Sequence, residues 1–398
     1  MAQYRGISTL TSGQMLAGRR VIDMSNEIGL LNPTAAPLTV LLKNTRKQET
    51  FSNKFEWIED DTKTKWDKLN ALYTIDDTTI NVANRERFKI GDIVKNIVTK
   101  LAWRVDTSPT ATGAGTVAVN GIDGFGETAD IGGAVNDPLL IIGTAYQDAA
   151  TYPGALNTTE TTDFNYVQLF MTTVEVGQQT EMTKLYGAKA KAHLRNLKGI
   201  EHMSGIELAF WFGELEQQAA DETPTNDVRG TRGVLEFLRA NGQNSTVGTL
   251  TEAEFEKWLA KVFTYDSDTP RTVFASAIVM QALNAWGRDK IRLVPSDQTY
   301  GIQVSKYLST LGDITIVPNH RTFEKDPDAA VTGYSGHAVA LRLKDLAYKY
   351  LANGGDTKLI EDVKDDFYGT KDVYVTNCGL ELKLVKMHGI LDGVTGYI

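Results

Sequence analysis

The chain has almost no cysteine. A single Cys378 stands among 398 residues, so no disulfide can close within the chain and metal sites built on several thiolates are excluded. Histidine is scarce as well. The five present, His193, His202, His320, His337 and His388, contain no H-x-x-x-H or H-E-x-x-H pair, so a helical zinc site has no support. No apolar run approaches the roughly 18 residues of a membrane-crossing helix, and the opening Met1-Ala2-Gln3-Tyr4-Arg5-Gly6 lacks the charged-then-apolar layout of a secretory signal. The expectation is a protein made and used in a cytoplasm, with no membrane partner. Surplus positive charge is also missing. Lys and Arg number 41 against 50 Asp and Glu, a net charge of −9, and the pI lies near 5.2. That balance argues against a dedicated nucleic-acid binder, which presents a basic face to phosphates.

What is present is a globular composition. With 42% hydrophobic and 23% charged residues, the chain can bury a large core in two or three folding units. Its most informative stretch is Asn165 to Val176, apolar and β-branched, followed by a segment with Met182, Leu185, Tyr186, Leu194, Leu197, Ile200, Ile206 and Phe210 at mixed three- and four-residue spacing. The spacing predicts a strand feeding one helix from Gln178 to Gln218, about forty residues and roughly 60 Å long. Gly187, Gly199, Gly205 and Gly213 weaken it by about 1 kcal/mol each relative to Ala, so packing must hold it.

Residues 1–54 read as an arm, polar and small-residue rich, broken by Pro33 and Pro37. From Phe55 to about Thr151 short strands alternate with turns: Ala71–Ile75, Thr79–Val82, Asp92–Val98, Leu101–Val105, Thr116–Val119 and Leu139–Ile142. They suggest a small β-barrel or a strongly curved sheet, with the Gly113–Gly133 connection as a flexible tip. After a polar linker at Thr223–Arg232, helices and strands alternate: an amphipathic helix Glu252–Phe263 entered through Thr251, a strand Thr272–Ala277, a helix Ile278–Trp286 and a strand Asp313–Val317. The β-rich Val373–Ile390 is expected to return and pair beneath the long helix.

Catalytic motifs are weak throughout. Gly124-Phe125-Gly126-Glu127-Thr128-Ala129 fits G-x-G-x-x-A, but the glycine-rich continuation cannot open the helix that would meet a pyrophosphate. Gly333-Tyr334-Ser335-Gly336-His337 ends in His where a nucleophile elbow needs glycine. The acidic doublets Asp60-Asp61, Asp76-Asp77 and Asp365-Asp366 lack cation-loop spacing and read as solvated faces or ion pairs. No catalytic residue, metal ligand or cofactor is expected. One charge pattern does stand out. Lys184, Lys189, Lys191, Arg195 and Lys198 fall in a stretch without a single acid, in a chain that is acidic overall. They read as a solvated helix face, or as a basic stripe facing either the interior or an acidic segment such as Glu56, Glu59, Asp60 and Asp61 of a neighbouring subunit, the last being the preferred functional reading. Under that last reading, reversing charge at Lys191 and Arg195 spoils assembly and spares the monomer.

The order of four segments resembles a known family. Asp23-Met24-Ser25-Asn26-Glu27-Ile28-Gly29-Leu30-Leu31-Asn32-Pro33, Lys54-Phe55-Glu56-Trp57-Ile58-Glu59-Asp60-Asp61, Arg87-Phe88-Lys89-Ile90-Gly91-Asp92-Ile93-Val94 and the strand–helix passage are together similar to podovirus-type major head proteins of tailed bacteriophages. The resemblance implies an α+β fold of the type named after phage Hong Kong 97. It divides the chain into an amino-terminal arm (1–54), an extended loop with a β-rich insertion (55–163), a peripheral domain with the spine helix (164–230 and 366–398) and an α/β axial domain (231–365). It also implies hexamers and pentamers in an icosahedral shell around double-stranded DNA, with a portal protein, a scaffold and decoration proteins as partners. Encapsulin shells share the fold and are the nearest alternative. An α/β enzyme on 231–365 would need a convergent polar pocket that no motif supplies, and a decoration or tail protein sits poorly with the long helix.

Overall fold

In the computed structural model, the structure describes residues 36–398 apart from 61–63, 74–77, 123–132, 147, 149–159, 184–189, 219–227, 287–290, 293–304, 310, 320–321, 325–332 and 364–367. The chain forms two compact units, one of Met1–Trp57 with Asp163–Ile398 and one of Ile58–Thr162. The segment 23–33, the motif at 124–129 and the doublets at 76–77 and 365–366 lie outside the described residues.

Among its described residues the larger unit holds six α-helices: α1 Pro37–Thr45, α2 Gln178–Met182, α3 Ala190–Phe212, α4 Val234–Asn241, α5 Glu252–Val262 and α6 Ala277–Trp286. The single helix expected from Gln178 to Gln218 starts where α2 starts, but it is interrupted at Thr183 and ends early, at Phe212. α2 stops where Thr183 turns extended, with its hydroxyl donating to the Gln179 carbonyl at 2.7 Å. α3 has 23 residues, about 35 Å at 1.5 Å per residue, and Glu216–Gln218 is a strand paired with Val228–Gly230. Gly213 ends α3 because a Cβ there would stand 2.3 Å from the Thr231 carbonyl oxygen, too close for any other residue.

Two sheets flank this helical core. In the first, Gln168–Gly177 pairs antiparallel with Gly369–Leu382 over ten residues, from Gln168 opposite Cys378 to Gly177 opposite Gly369. Leu346–Leu351 and Lys47–Thr50 extend it on one side. The second sheet has seven strands in the order Ser245–Thr246, Gly389–Asp392, Ala338–Leu341, Arg271–Ala275, Gly312–Pro318, Ser305–Ser309 and Ile291–Arg292. The expected Val373–Ile390 return is thus divided between the sheets. Leu384, at a φ of 52°, and a short 3₁₀ turn at Val385–Met387 carry the chain from the first sheet into the second.

Strand alternation gives the seven-stranded sheet two buried faces. Phe274, Val317, Val339, Leu341 and Ile390 face a core with Trp211, Phe210 and the α4 residues Phe237 and Leu238. Val273, Ala275, Ile314, Ile316, Ala338, Ala340 and Leu391 face a second core with Phe255, Trp258 and Val279 of α5 and α6. α5 starts at a full capping box, Thr251 with Glu254.

The smaller unit is a closed barrel. Its strands run Trp66–Lys68, Pro138–Thr144, Asp92–Asn96, Ala102–Val105, Gly115–Gly121 and Thr79–Val82, and a bridge between Leu69 and Val82 joins the first to the last. Of the expected strand Ala71–Ile75, the described residues 71–73 show one isolated bridge, from Tyr73 to Gly133. The barrel interior is filled by Val94, Trp103, Val105, Val117, Val119, Ile80 and Leu139, with Tyr73 edge-on to Trp103 at 4.9 Å.

Candidate inter-subunit surface

α3 lies across the Gln168–Gly177 strand, and it does so through polar as well as apolar contacts. His202 sits between two threonines, its Nδ1 2.9 Å from Thr172 Oγ1 and its Nε2 2.8 Å from Thr376 Oγ1, so one ring pins the helix to both strands of the long antiparallel pair. Burial pushes the His202 imidazole down, with the nearby Lys43 cation acting in the same direction. It is held neutral, as a ring shared by two hydroxyls can be.

One turn further, Glu207 is fully buried. Its Oε1 accepts from Leu38 N at 3.0 Å and Trp211 Nε1 at 2.8 Å, and its Oε2 accepts from Thr39 N and Thr39 Oγ1, both at 2.7 Å. Leu38 and Thr39 are the second and third residues of α1, whose own cap residue, Ala36, makes no side-chain bond. A carboxylate from another helix thus supplies the cap that the local sequence lacks. Burial pushes the Glu207 carboxyl up, while the bonds from Thr39, Trp211 and Leu38 act against it.

The basic stripe has partners within the chain. Arg195 Nε donates to the fully buried Asp372 Oδ2 at 2.7 Å, and its Nη1 lies 3.1 Å from Glu361. Lys191 stands 3.8 to 3.9 Å from Glu181, Asp362 and Asp372. Burial would raise the Asp372 carboxyl, but the bond from Arg195, the Asp362 N–H and the charges of Lys191 and Arg195 hold it below its usual value. Lys198 pairs with Glu201 at 2.6 Å on the exposed side of α3. Lys184 and Lys189 lie outside the described residues. The acids missing from the local sequence are brought by Gly369–Leu382 and its flanking turn, which local charge counting cannot see.

On the acidic side, Glu56 is bonded to Lys54 at 2.5 Å within an exposed strand edge, Glu59 accepts the Thr161 hydroxyl at its carbonyl, and Asp60 follows. Asp61 lies outside the described residues. The sheet face opposite α3 exposes Leu169 and Met171, 49% and 62% accessible, in the alternation that buries Val174 and Val176 beneath the helix.

Candidate chemistry elsewhere does not assemble. Ser335 lies in a turn that leads into the Ala338–Leu341 strand, the reverse of the strand-to-helix elbow a nucleophile needs. No group of three His, Cys, Asp or Glu that could hold a metal occurs among the described residues. No helix among them is long and apolar enough to cross a membrane.

Sequence reasoning missed Glu207, His202 and Asp372. For Glu207 a signal existed: it lies one helical turn from Met203 and from Trp211, inside the apolar face of α3.

The comparisons fit this architecture. The family described as SU10 major capsid protein matches residues 6–395. The chain belongs to that family. It is a major capsid protein of a tailed phage, a structural role. No curated protein matches it. Among solved structures, the capsid of a native GTA particle is similar at 9% identity and a TM-score of 0.47, over 94% of this chain and 95% of the other. Microbacterium phage Oxtober96 gives 9% and 0.47 over 98% and 100%. The holo-SrpI encapsulin complex from Synechococcus elongatus PCC 7942 gives 10% and 0.46 over 96% of each chain. The placement rests on the family match alone.

Proposed function

We propose that this capsid protein assembles, without catalysis, into hexamers and pentamers of a closed icosahedral head that encloses double-stranded DNA. The observation that carries this reading is the family match over residues 6–395. In this reading the first sheet with α3 is the stiff peripheral platform, the seven-stranded unit is the axial domain that meets its copies around the symmetry axes, and the barrel belongs to the extended loop. Many symmetry-related interfaces supply stability that one contact could not. The net charge of −9 suits a wall that contains DNA without gripping it. A portal protein, a scaffold and decoration proteins are the expected partners, and assembly takes place in the host cytoplasm.

The contact between copies is assigned to the acidic Glu56, Glu59, Asp60 and Asp61 and to the cations of α3. Lys198, with only an exposed i,i+3 partner, is the cation freest to exchange it for a neighbour's acid, since such surface pairs are worth about 0–1 kcal/mol. Lys191 and Arg195 would join as a shared network around Asp372.

Expression alone and with neighbouring genes, followed by negative-stain microscopy and nucleic-acid analysis, tests the reading. Closed shells carrying DNA support it. Shells filled with a cargo enzyme would favour an encapsulin, and an unassembled monomer under all conditions would refute the shell reading.

A further inference from the structure

The first sheet has one covered face and one open face. Tyr374 and Thr376 turn toward α3, where the Tyr374 hydroxyl donates to the Arg195 carbonyl at 3.1 Å and Thr376 Oγ1 meets His202. Alternation therefore sends Val373, Val375 and Asn377 to the other face, beside their register partners Thr173, Met171 and Leu169. On the far side of the two valines, Ile360 pairs with Val373 and Lys358 with Val375. Leu169, Met171 and Ile360 are exposed and the valines half-buried, so register makes one contiguous apolar surface of the five.

That surface runs into a groove. A cavity of about 370 Å³ is lined by Asn53, Val167, Leu169, Val228, Arg229 and Asn377, and Val228 is exposed at its rim. The Val167 N–H donates to the Asn53 carbonyl at 2.8 Å and fixes one wall. Two residues before Asn53, in the turn between Lys47–Thr50 and Lys54–Glu59, Phe51 is 86% exposed, the most exposed aromatic among the described residues. Apolar side chains scattered singly on a surface need no partner, whereas a contiguous patch that ends in a hollow marks an interaction site.

We propose that the open face is a contact between copies, in which the Phe51 ring of a second copy of this chain enters the groove at Leu169 and Val228. Three observations select that occupant. The chain belongs to a family of capsid proteins, which work as many copies, so both halves of the contact are present in every assembly. Arg229 in the groove wall suits an aromatic ring, on whose face a guanidinium stacks. The exposed apolar area is on the order of a few hundred Å², short of the roughly 800 Å² per partner of a self-sufficient interface, which matches one contact among the several that a copy makes in a shell. Lys358 and the Lys371–Glu175 pair at 3.0 Å bound the apolar surface with charge, as a polar rim bounds an interface core. The partner rests on the shell reading above, and the site rests on the sheet.

The test is crosslinking between two full-length variants, Phe51→Cys and Leu169→Cys, co-expressed with the neighbouring genes and treated with a short bis-maleimide. The native Cys378 is fully buried and does not react. A product of two chains is expected only when both variants are present. Phe51→Ser should lower the yield of assembled particles roughly tenfold or more, as loss of an aromatic anchor does, and leave the thermal midpoint of the monomer unchanged. Particles without the mixed product overturn this contact and leave the shell reading standing. Mixed product in dimers or open rings, with no closed shell, supports the contact and counts against the shell reading. No mixed product in particles or in the concentrated chain overturns the proposal, as does a product of Phe51→Cys with itself or with a co-expressed protein in its place.

Discussion

The two units of this capsid protein reach stability by different routes. The barrel is one continuous stretch of chain, 58–162, and all of its strand pairings fall within that stretch around a compact apolar cluster. The larger unit is sewn from distant segments. Its main core runs from Leu38 to Ile390, and buried polar groups tie the pieces together: Glu207 to α1 across 168 residues and Arg195 to Asp372 across 177. Short-range apolar pairing closes a small barrel cheaply in loop entropy, while long-range assembly needs directional bonds that accept only one register.

The sharpest way to break this contrast is Glu207→Ala. It strands the N–H groups of Leu38 and Thr39 and the Trp211 indole in a dry core, with an expected loss of about 3–5 kcal/mol in denaturant unfolding and faster amide exchange through α1. Trp103→Ala should cost a similar ~3–5 kcal/mol, with the new exchange confined to barrel residues. Exchange spreading to α1 and α3 would show that the barrel is not self-contained.

Arg195→Glu comes next. It leaves Asp372 buried beside a like charge, for an expected loss of about 2–3 kcal/mol, discounted because Arg195 is partly solvated. Acid should mimic it. The folded Asp372 carboxyl lies below its usual value, so its contribution is present above about pH 4 and is lost as pH falls through the depressed folded value. In Arg195→Glu the like charge and burial push the Asp372 carboxyl up instead, so the loss of stability on acidification should disappear or reverse across that range. The smallest effects are Thr251→Ala, about 1 kcal/mol from the lost α5 cap, and Lys198→Glu, within about 0.5 kcal/mol for the monomer. If Lys198 meets a neighbour, its reversal lowers the yield of shells instead.

Much of the fold was legible where signals are local. Hydrophobic spacing located α5 and α6, alternation located the Thr79–Val82, Asp92–Asn96 and Ala102–Val105 strands, and Thr251 marked a helix start that the structure caps as expected. The long helix was overread because apolar spacing continues through 183–189 while the backbone at Thr183 turns extended. The return strand was overread because nothing in its apolar composition marks Leu384, where a left-handed residue sends the chain to another sheet. The basic stripe was visible, but apart from Glu181 and Glu201 its acids are Glu361, Asp362 and Asp372, which lie far along the chain. That distance also hid the open face of Leu169, Met171, Val373 and Val375, which exists only once two strands have aligned.

The most direct test of the central claim is a cryo-electron microscopy reconstruction of particles formed by the full-length chain. The account predicts a closed icosahedral shell of five- and six-membered rings, with α1 seated on Glu207 in every copy. A protein that stays monomeric at micromolar concentration with its co-expressed partners, or that forms only open filaments, would contradict it.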